Sequence, residues 1–310
     1  MDSLDLFHIR QKYYLGSYQP LQAADLPDKL SPDYRPTLLF KARALVKSDP
    51  DGAIALLPKD DVSLPARSVR SLASYFKASQ AEDDGAKDKS LDELRDLCVE
   101  VEGEEVEDEE KGLVRSIAAA AFVYEGENEE ALETLEAGTS TRNLEGIALT
   151  VQLYLSMNRI DLAQKEFERA KSWAEDDMLL QLIEATLSLA SGANSYANPH
   201  SFYNEQAHNP SLASSHLLAA SGLTHLLRGE HPEAHSSFAE ALRLNPKEGT
   251  ALAGKAIAEW LMGETSKAEA SFAELEEKDP QYPMVKELSE KSDLFDALAT
   301  NYKVPTLATA

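Results

Sequence analysis

Apolar residues recur at three-to-four spacing along most of the chain, the pattern of helices that each bury one face. Leu4, Phe7, Tyr14 and Leu15 form the first stripe; Gly16 ends it, and Ser17 stands where it could cap the next helix. Stretches 38–46, 53–57, 69–76 and 91–101 continue the rhythm as short helices separated by Pro, Asp and Gly. The helix over 114–124 closes at Gly126, and Ala131 and Leu135 open the next. Ile147, Val151, Tyr154 and Leu155 then stripe a helix that leads into Ala163, Phe167 and Ala170. A less regular pair follows, with 182–190 as its first helix, Gly192 at the turn, and Asn198 and Phe202 on the second. After Pro283 a final stripe carries Val285, Leu288, Leu294, Phe295, Leu298 and Tyr302. No segment alternates as a half-buried strand does, so the pattern predicts an all-α chain with at least about 60% helix.

A period organises these helices. Leu218, Gly222, Gly229, Ala234, Phe238 and Pro246 recur 34 residues later as Leu252, Ala256, Gly263, Ala268, Phe272 and Pro280. Small residues let two antiparallel helices approach, the aromatic fills the space between units, and proline stops the second helix. The spacing and residue types resemble the tetratricopeptide repeat. That resemblance implies a helical-hairpin solenoid, curved or ring-like, closed by a C-terminal capping helix. Residues 1–112 read as degenerate hairpins, 113–281 as the repeats, and 282–310 as the cap and tail of one continuous array.

Composition narrows the chemistry. The 310 residues carry 30 Lys and Arg against 54 Asp and Glu, a net charge of −24 that is the wrong sign for a nucleic-acid phosphate backbone or an anionic lipid surface. No apolar run reaches the roughly 18 residues of a membrane span, and the N-terminus lacks the basic-then-apolar order of a signal peptide. Direct membrane insertion is therefore not expected. The single cysteine, Cys98, has no positive neighbours in sequence and reads as an unreactive thiol.

No motif points to catalysis or to a cofactor. His231-Pro-Glu-Ala-His235 sets two imidazoles four residues apart, but the glutamate is misplaced for a zinc hydrolase and Pro232 marks a helix start. Asp49-Pro-Asp51-Gly52 lacks the remaining ligands of a calcium loop and is suited to capping a short helix. The run 100–110 holds eight carboxylates in eleven residues, a density that favours a solvated loop or a frayed helix end. The chain is accordingly read as a non-enzyme.

Three blocks in order carry a more specific likeness. The opening 5–19, Asp5-Leu6-Phe7-His8-Ile9-Arg10-Gln11-Lys12-Tyr13-Tyr14-Leu15-Gly16-Ser17-Tyr18-Gln19, resembles the start of the coatomer epsilon subunit family. The segment 160–169 with 182–191 is similar to its middle, and Lys286-Glu287 with Asp293-Leu294-Phe295-Asp296 to its terminal helix. The resemblance implies a structural subunit of the COPI coat. It further implies that the concave surface holds the C-terminal domain of the coatomer alpha subunit, with the rest of coatomer reached indirectly. Residence would be cytoplasmic and peripheral, on Golgi membranes and COPI vesicles, in Golgi-to-ER and intra-Golgi transport. A free tetratricopeptide adaptor or co-chaperone that binds short peptide tails is the alternative.

In a tetratricopeptide array, positions five, nine and twelve of each first helix look into the groove. The repeat register places Val123, Ala148, Leu155, Leu187, Leu223, Leu226, Ile257 and Trp260 there. That wall is mostly apolar and lacks the lysines and asparagines with which an adaptor would grip a carboxylate tail. Position twelve is open to a second reading, packing against the neighbouring repeat's helix; a contiguous apolar groove is costly in water, so the wall is otherwise expected to bind a permanent partner.

Overall fold

The computed structural model describes residues 3–302 apart from 104, 105, 140, 141 and 213. Helix makes up 75% of the chain, and no strand occurs among the described residues. None of these helices is long and apolar enough to cross a membrane. Two compact units divide the chain, residues 1–214 and 215–310.

The first unit opens with α1 (Leu4–Tyr14) and α2 (Tyr18–Ala23). Hairpins follow: α3 (Tyr34–Leu45) with α4 (Pro50–Leu56), α5 (Leu64–Gln80) with α6 (Asp84–Gly103), and α7 (Asp108–Glu125) with α8 (Asn128–Thr134). The last two are α9 (Leu144–Ser156) with α10 (Ile160–Lys171) and α11 (Met178–Ser191) with α12 (Ala197–Ala207). First helices stack on first helices, α3 on α5, α5 on α7, α7 on α9 and α9 on α11, as a solenoid requires. The degenerate N-terminal stretches thus form the same hairpins as the regular ones.

Local chemistry sets most ends. Asp49 accepts the Gly52 amide at 2.9 Å and caps α4 as expected. Gly126 and Gly192 take the left-handed backbone (φ +81° and +67°) that terminates α7 and α11, a conformation costly for residues with a Cβ. Of the acidic run, Glu104 and Glu105 lie outside the described residues, and most of the rest belongs to two helices. Glu100 and Glu102 lie in the last turn of α6, where Arg67 and Arg115 pair with them. Asp108, Glu109 and Glu110 fill the first turn of α7, where the helix dipole favours negative charge.

One expectation is corrected. Ser17 makes no cap for α2; it is fully buried and its hydroxyl donates to the Leu212 carbonyl 195 residues away, so the two ends of the unit meet. On α12 the buried side chains are Pro199 and Tyr203, and Asn198 is exposed. A short 3-10 turn, Ala193–Tyr196, leads into that helix.

The second unit contains α13 (Ser215–Leu227) paired with α14 (His231–Leu244), α15 (Gly249–Leu261) paired with α16 (Thr265–Lys278), and α17 (Pro283–Ala299). Phe238 of α14 is wedged where α13 and α15 come together and is fully buried. A Cβ on Gly222 or Gly254 would lie only 2.7 or 2.3 Å from its ring, which is why both positions are glycine. Phe238→Ala is expected to destabilise this unit by about 3–5 kcal/mol in chemical denaturation, the cost of emptying a buried aromatic site. His235 binds the buried Glu259 (Nε2 to Oε1 3.2 Å), which also accepts from Ser271 at 2.6 Å; the imidazole completes a helix-to-helix contact.

Only the first turn of α17 covers the preceding hairpin. Met284 and Val285, with Tyr282, pack against buried Leu252 and Leu275, and the helix has no buried residue of its own. Ending the chain at Glu287 should therefore leave the melting temperature within about 2 °C. Ending it before Met284 should lower it by about 4–8 °C for each kcal/mol of lost cover.

Candidate partner-binding groove

Inside the first unit, the first helices α3, α5, α7, α9 and α11 line a groove of about 410 Å³. Its floor is apolar: Leu72 and Phe76 from α5, Ile117 and Ala120 from α7, Ala148 and Leu149 from α9, Leu182 and Ile183 from α11. Tyrosines frame it. Tyr124 stands edge-on to Phe76 (4.9 Å between ring centres, 80° between planes), Lys47 sits 5.3 Å above the Tyr124 ring, and Tyr18 reaches in from α2. Aromatic bodies with polar tips suit a guest that must bury apolar surface and still find hydrogen bonds.

One wall of this groove is a polar bridge built from three distant helices. Tyr14 of α1 donates to Glu145 Oε1 of α9 at 2.7 Å. Arg43 of α3 meets the same carboxylate through both terminal nitrogens, at 3.3 and 2.5 Å. The guanidinium also lies 4.6 Å over the Tyr13 ring. Side-chain exposure is only 9% for Arg43 and 17% for Glu145, so the pair is largely dry and a missing partner would be costly. Burial pushes the Glu145 carboxyl up, but the Arg43 charge and the hydrogen bonds from Arg43 and Tyr14 outweigh it and hold the group below the usual glutamate value. Burial pushes the Tyr13 phenol up to about 12, with the Arg43 charge opposing.

Tyr14, Arg43 and Glu145 also border a second cleft, of about 1070 Å³, so the bridge is the wall between the two. That cleft is polar. Arg10, Arg35, Arg115 and Arg142 alternate there with Glu102, the acidic first turn of α7 and Glu136. Arg115 pairs with both Glu102 and Glu136, so much of its charge is internally matched.

Of the residues assigned to the concave wall, Ala148 lines the groove. Val123 is half-buried against the first core while its neighbour Tyr124 reaches the groove. Leu155 packs on the second core and Leu187 is buried in it at 4% exposure, so Leu187 cannot meet a guest; Gln152, Ile183 and Thr186 take the groove positions on their helices. In the second unit Leu223, Leu226 and Ile257 are half-buried, and Trp260 is 66% exposed. The displaced assignments are one to four residues out, because each residue turns a helix by about 100° and the degenerate hairpins lack the markers that set the phase. The bridge was missed altogether. Its sequence signal is the aromatic run Tyr13, Tyr14 and Tyr18 across the first two short helices.

Cys98 lies half-buried on α6, and burial pushes its thiol up to about 11, with nearby Arg115 opposing. The native chain should react with a disulfide reagent at pH 8 at least about tenfold more slowly than the unfolded chain, because the thiolate is the reactive species.

The chain is similar to known proteins in sequence and, separately, in fold. The family profile described as coatomer epsilon subunit matches residues 2–303. Coatomer subunit epsilon-1 of Arabidopsis thaliana is 25% identical over 301 residues, covering 94% of each chain. The probable coatomer subunit epsilon of Schizosaccharomyces pombe is 23% identical, covering 83% of this chain and 80% of its own. A tetratricopeptide repeat protein from Parabacteroides merdae superposes with a TM-score of 0.53 at 14% identity, over 90% of this chain and 97% of that one, a likeness of fold.

Proposed function

Because the chain belongs to the coatomer epsilon subunit family, and so to the COPI coat, we propose that it is the subunit that holds the C-terminal domain of the coatomer alpha subunit. Both the family and the fold are structural, not catalytic. The observation that carries the reading is the aromatic groove of the first unit, an apolar, tyrosine-framed concavity. Left in water such a surface is costly, and a permanent partner removes that cost. Ala148 of the groove floor and Trp260 of the second unit are the positions at which the proposed interface is tested most directly. The complex would work in the cytoplasm and on Golgi membranes, in Golgi-to-ER and intra-Golgi transport.

The test is reconstitution. The purified chain and the isolated alpha C-terminal domain should elute as one species with the mass of a one-to-one complex, stable to dilution into the nanomolar range. Separate elution, or capture only of short peptide tails with fast release, would favour the adaptor reading instead.

A further inference from the structure

The helices α13, α15 and α17 begin at Ser215, Gly249 and Pro283, each 34 residues after the last, so α17 is in phase as the first helix of another repeat. It cannot build one. Leu218 and Gly222 of α13, and Leu252 and Ala256 of α15, occupy the positions that pack within a hairpin; the same positions in α17 are Lys286 and Glu290. The turn glycines Gly229 and Gly263 correspond to Ala297, and the helix runs on through it.

The apolar side chains of α17 follow a different order. Met284, Leu288, Lys291, Phe295 and Leu298 are alternately four and three residues apart, the seam spacing of a coiled coil, with Val285 and Leu294 flanking it. Past Met284 the seam is open: Leu288 is 53% exposed, Phe295 71% and Leu298 51%. One cation interrupts it. Among the described residues Lys291 pairs with Glu287 of its own helix, at 3.0 Å on the surface.

We propose that α17 is a docking helix for one amphipathic α-helix of another coat protein, which sets a carboxylate opposite Lys291 and Lys or Arg beside Glu287. Charge selects this partner. A second copy of the chain offers no acid in the seam for Lys291, and parallel pairing would place the two lysines together. The acidic Glu287, Glu290, Asp293 and Asp296 outnumber Lys286 and Lys291, which favours a basic-flanked helix. Two heptads are short, so the contact is weak alone and adds to others within an assembled coat. The proposal takes from the assigned function only that a coat surrounds the chain. The groove of the first unit contributes nothing to it, so the two readings fail separately.

The test uses the full chain and two labelled 21-residue helical peptides with Leu at the seam positions and Lys on the flanks. They differ only in a central seam residue, Glu or Lys. Fluorescence anisotropy should show the Glu peptide binding at least about tenfold more tightly. Lys291→Glu should reverse the preference, and Phe295→Glu should abolish binding with no change in melting temperature or in alpha-subunit capture. Equal binding of both peptides, binding that survives Phe295→Glu, or no binding would overturn the proposal. So would a dimer of the free chain that Phe295→Glu converts to monomer, since a second copy would then be the occupant.

Discussion

Replacing Glu145 by Leu is expected to destabilise the first unit by about 3–5 kcal/mol, the cost of stranding a buried cation. Arg43 would keep its charge at 9% exposure with no carboxylate, and Tyr14 would lose its acceptor. The melting temperature should fall by about 6–20 °C at roughly 2–4 °C per kcal/mol. Pairing the change with Arg43→Met should recover much of the loss, since two apolar side chains can pack where one unpaired charge cannot. If the double variant melts no higher than Glu145→Leu, the bridge is not the source of the effect. A pH series supplies the sign. The native-state pKa of Glu145 is held below its unfolded value, so the native protein binds fewer protons at this site than the unfolded chain. The stabilisation is present above the ordinary glutamate value of about 4.5 and is lost as pH falls below it through the depressed native pKa. Glu145→Gln should flatten that acidic limb of the stability curve, and an unchanged limb would assign it to other carboxylates.

Ala148→Glu should reduce capture of the alpha C-terminal domain by at least about 100-fold while the free chain melts within about 3 °C of the parent. The side chain lines the groove between Leu149 and the α11 residues, where an added carboxylate would be desolvated against an apolar guest. Ala148 is half-buried beside the second core, so the melting temperature of the free chain is read alongside capture to separate lost binding from lost folding. Tyr124→Ala removes an aromatic that is 54% exposed at the rim, and a loss of about 30- to 1000-fold, typical of a truncated aromatic anchor, is expected. Trp260→Ala asks whether the second unit shares the load: a similar loss would extend the interface to it, and wild-type affinity would confine binding to the first unit. Normal capture by a folded Ala148→Glu chain would refute the groove as the binding surface.

How far the chain can be read without its structure depends on the distance over which each feature is decided. Helix ends such as Asp49, Gly126 and Gly192 are legible because a cap or a left-handed residue acts within one turn of itself. The pairing of hairpins follows from Gly222, Ala234 and Phe238, whose sizes admit only one close approach. Family membership was likewise visible, in the ordered blocks at the two ends and the middle.

Which residue of a helix faces the groove is only partly legible in the sequence: Ala148 and Tyr124 line it, while Val123 beside Tyr124 is half-buried on the core and Leu187 is buried. Those choices turn on rotations of a residue or two, and in the degenerate hairpins they are set by neighbouring helices and not by local pattern.

The amino-acid sequence alone therefore determined the helical class and the 34-residue hairpin unit, both consequences of periodicity and side-chain volume. Only the tertiary structure decided that Tyr14, Arg43 and Glu145 meet, that Ser17 bonds Leu212, and that α17 leaves its seam uncovered. These features join positions up to 195 residues apart, or rest on which side chains the described residues leave exposed. Their geometry accumulates from the small rotation between successive hairpins, which no single segment of the sequence encodes.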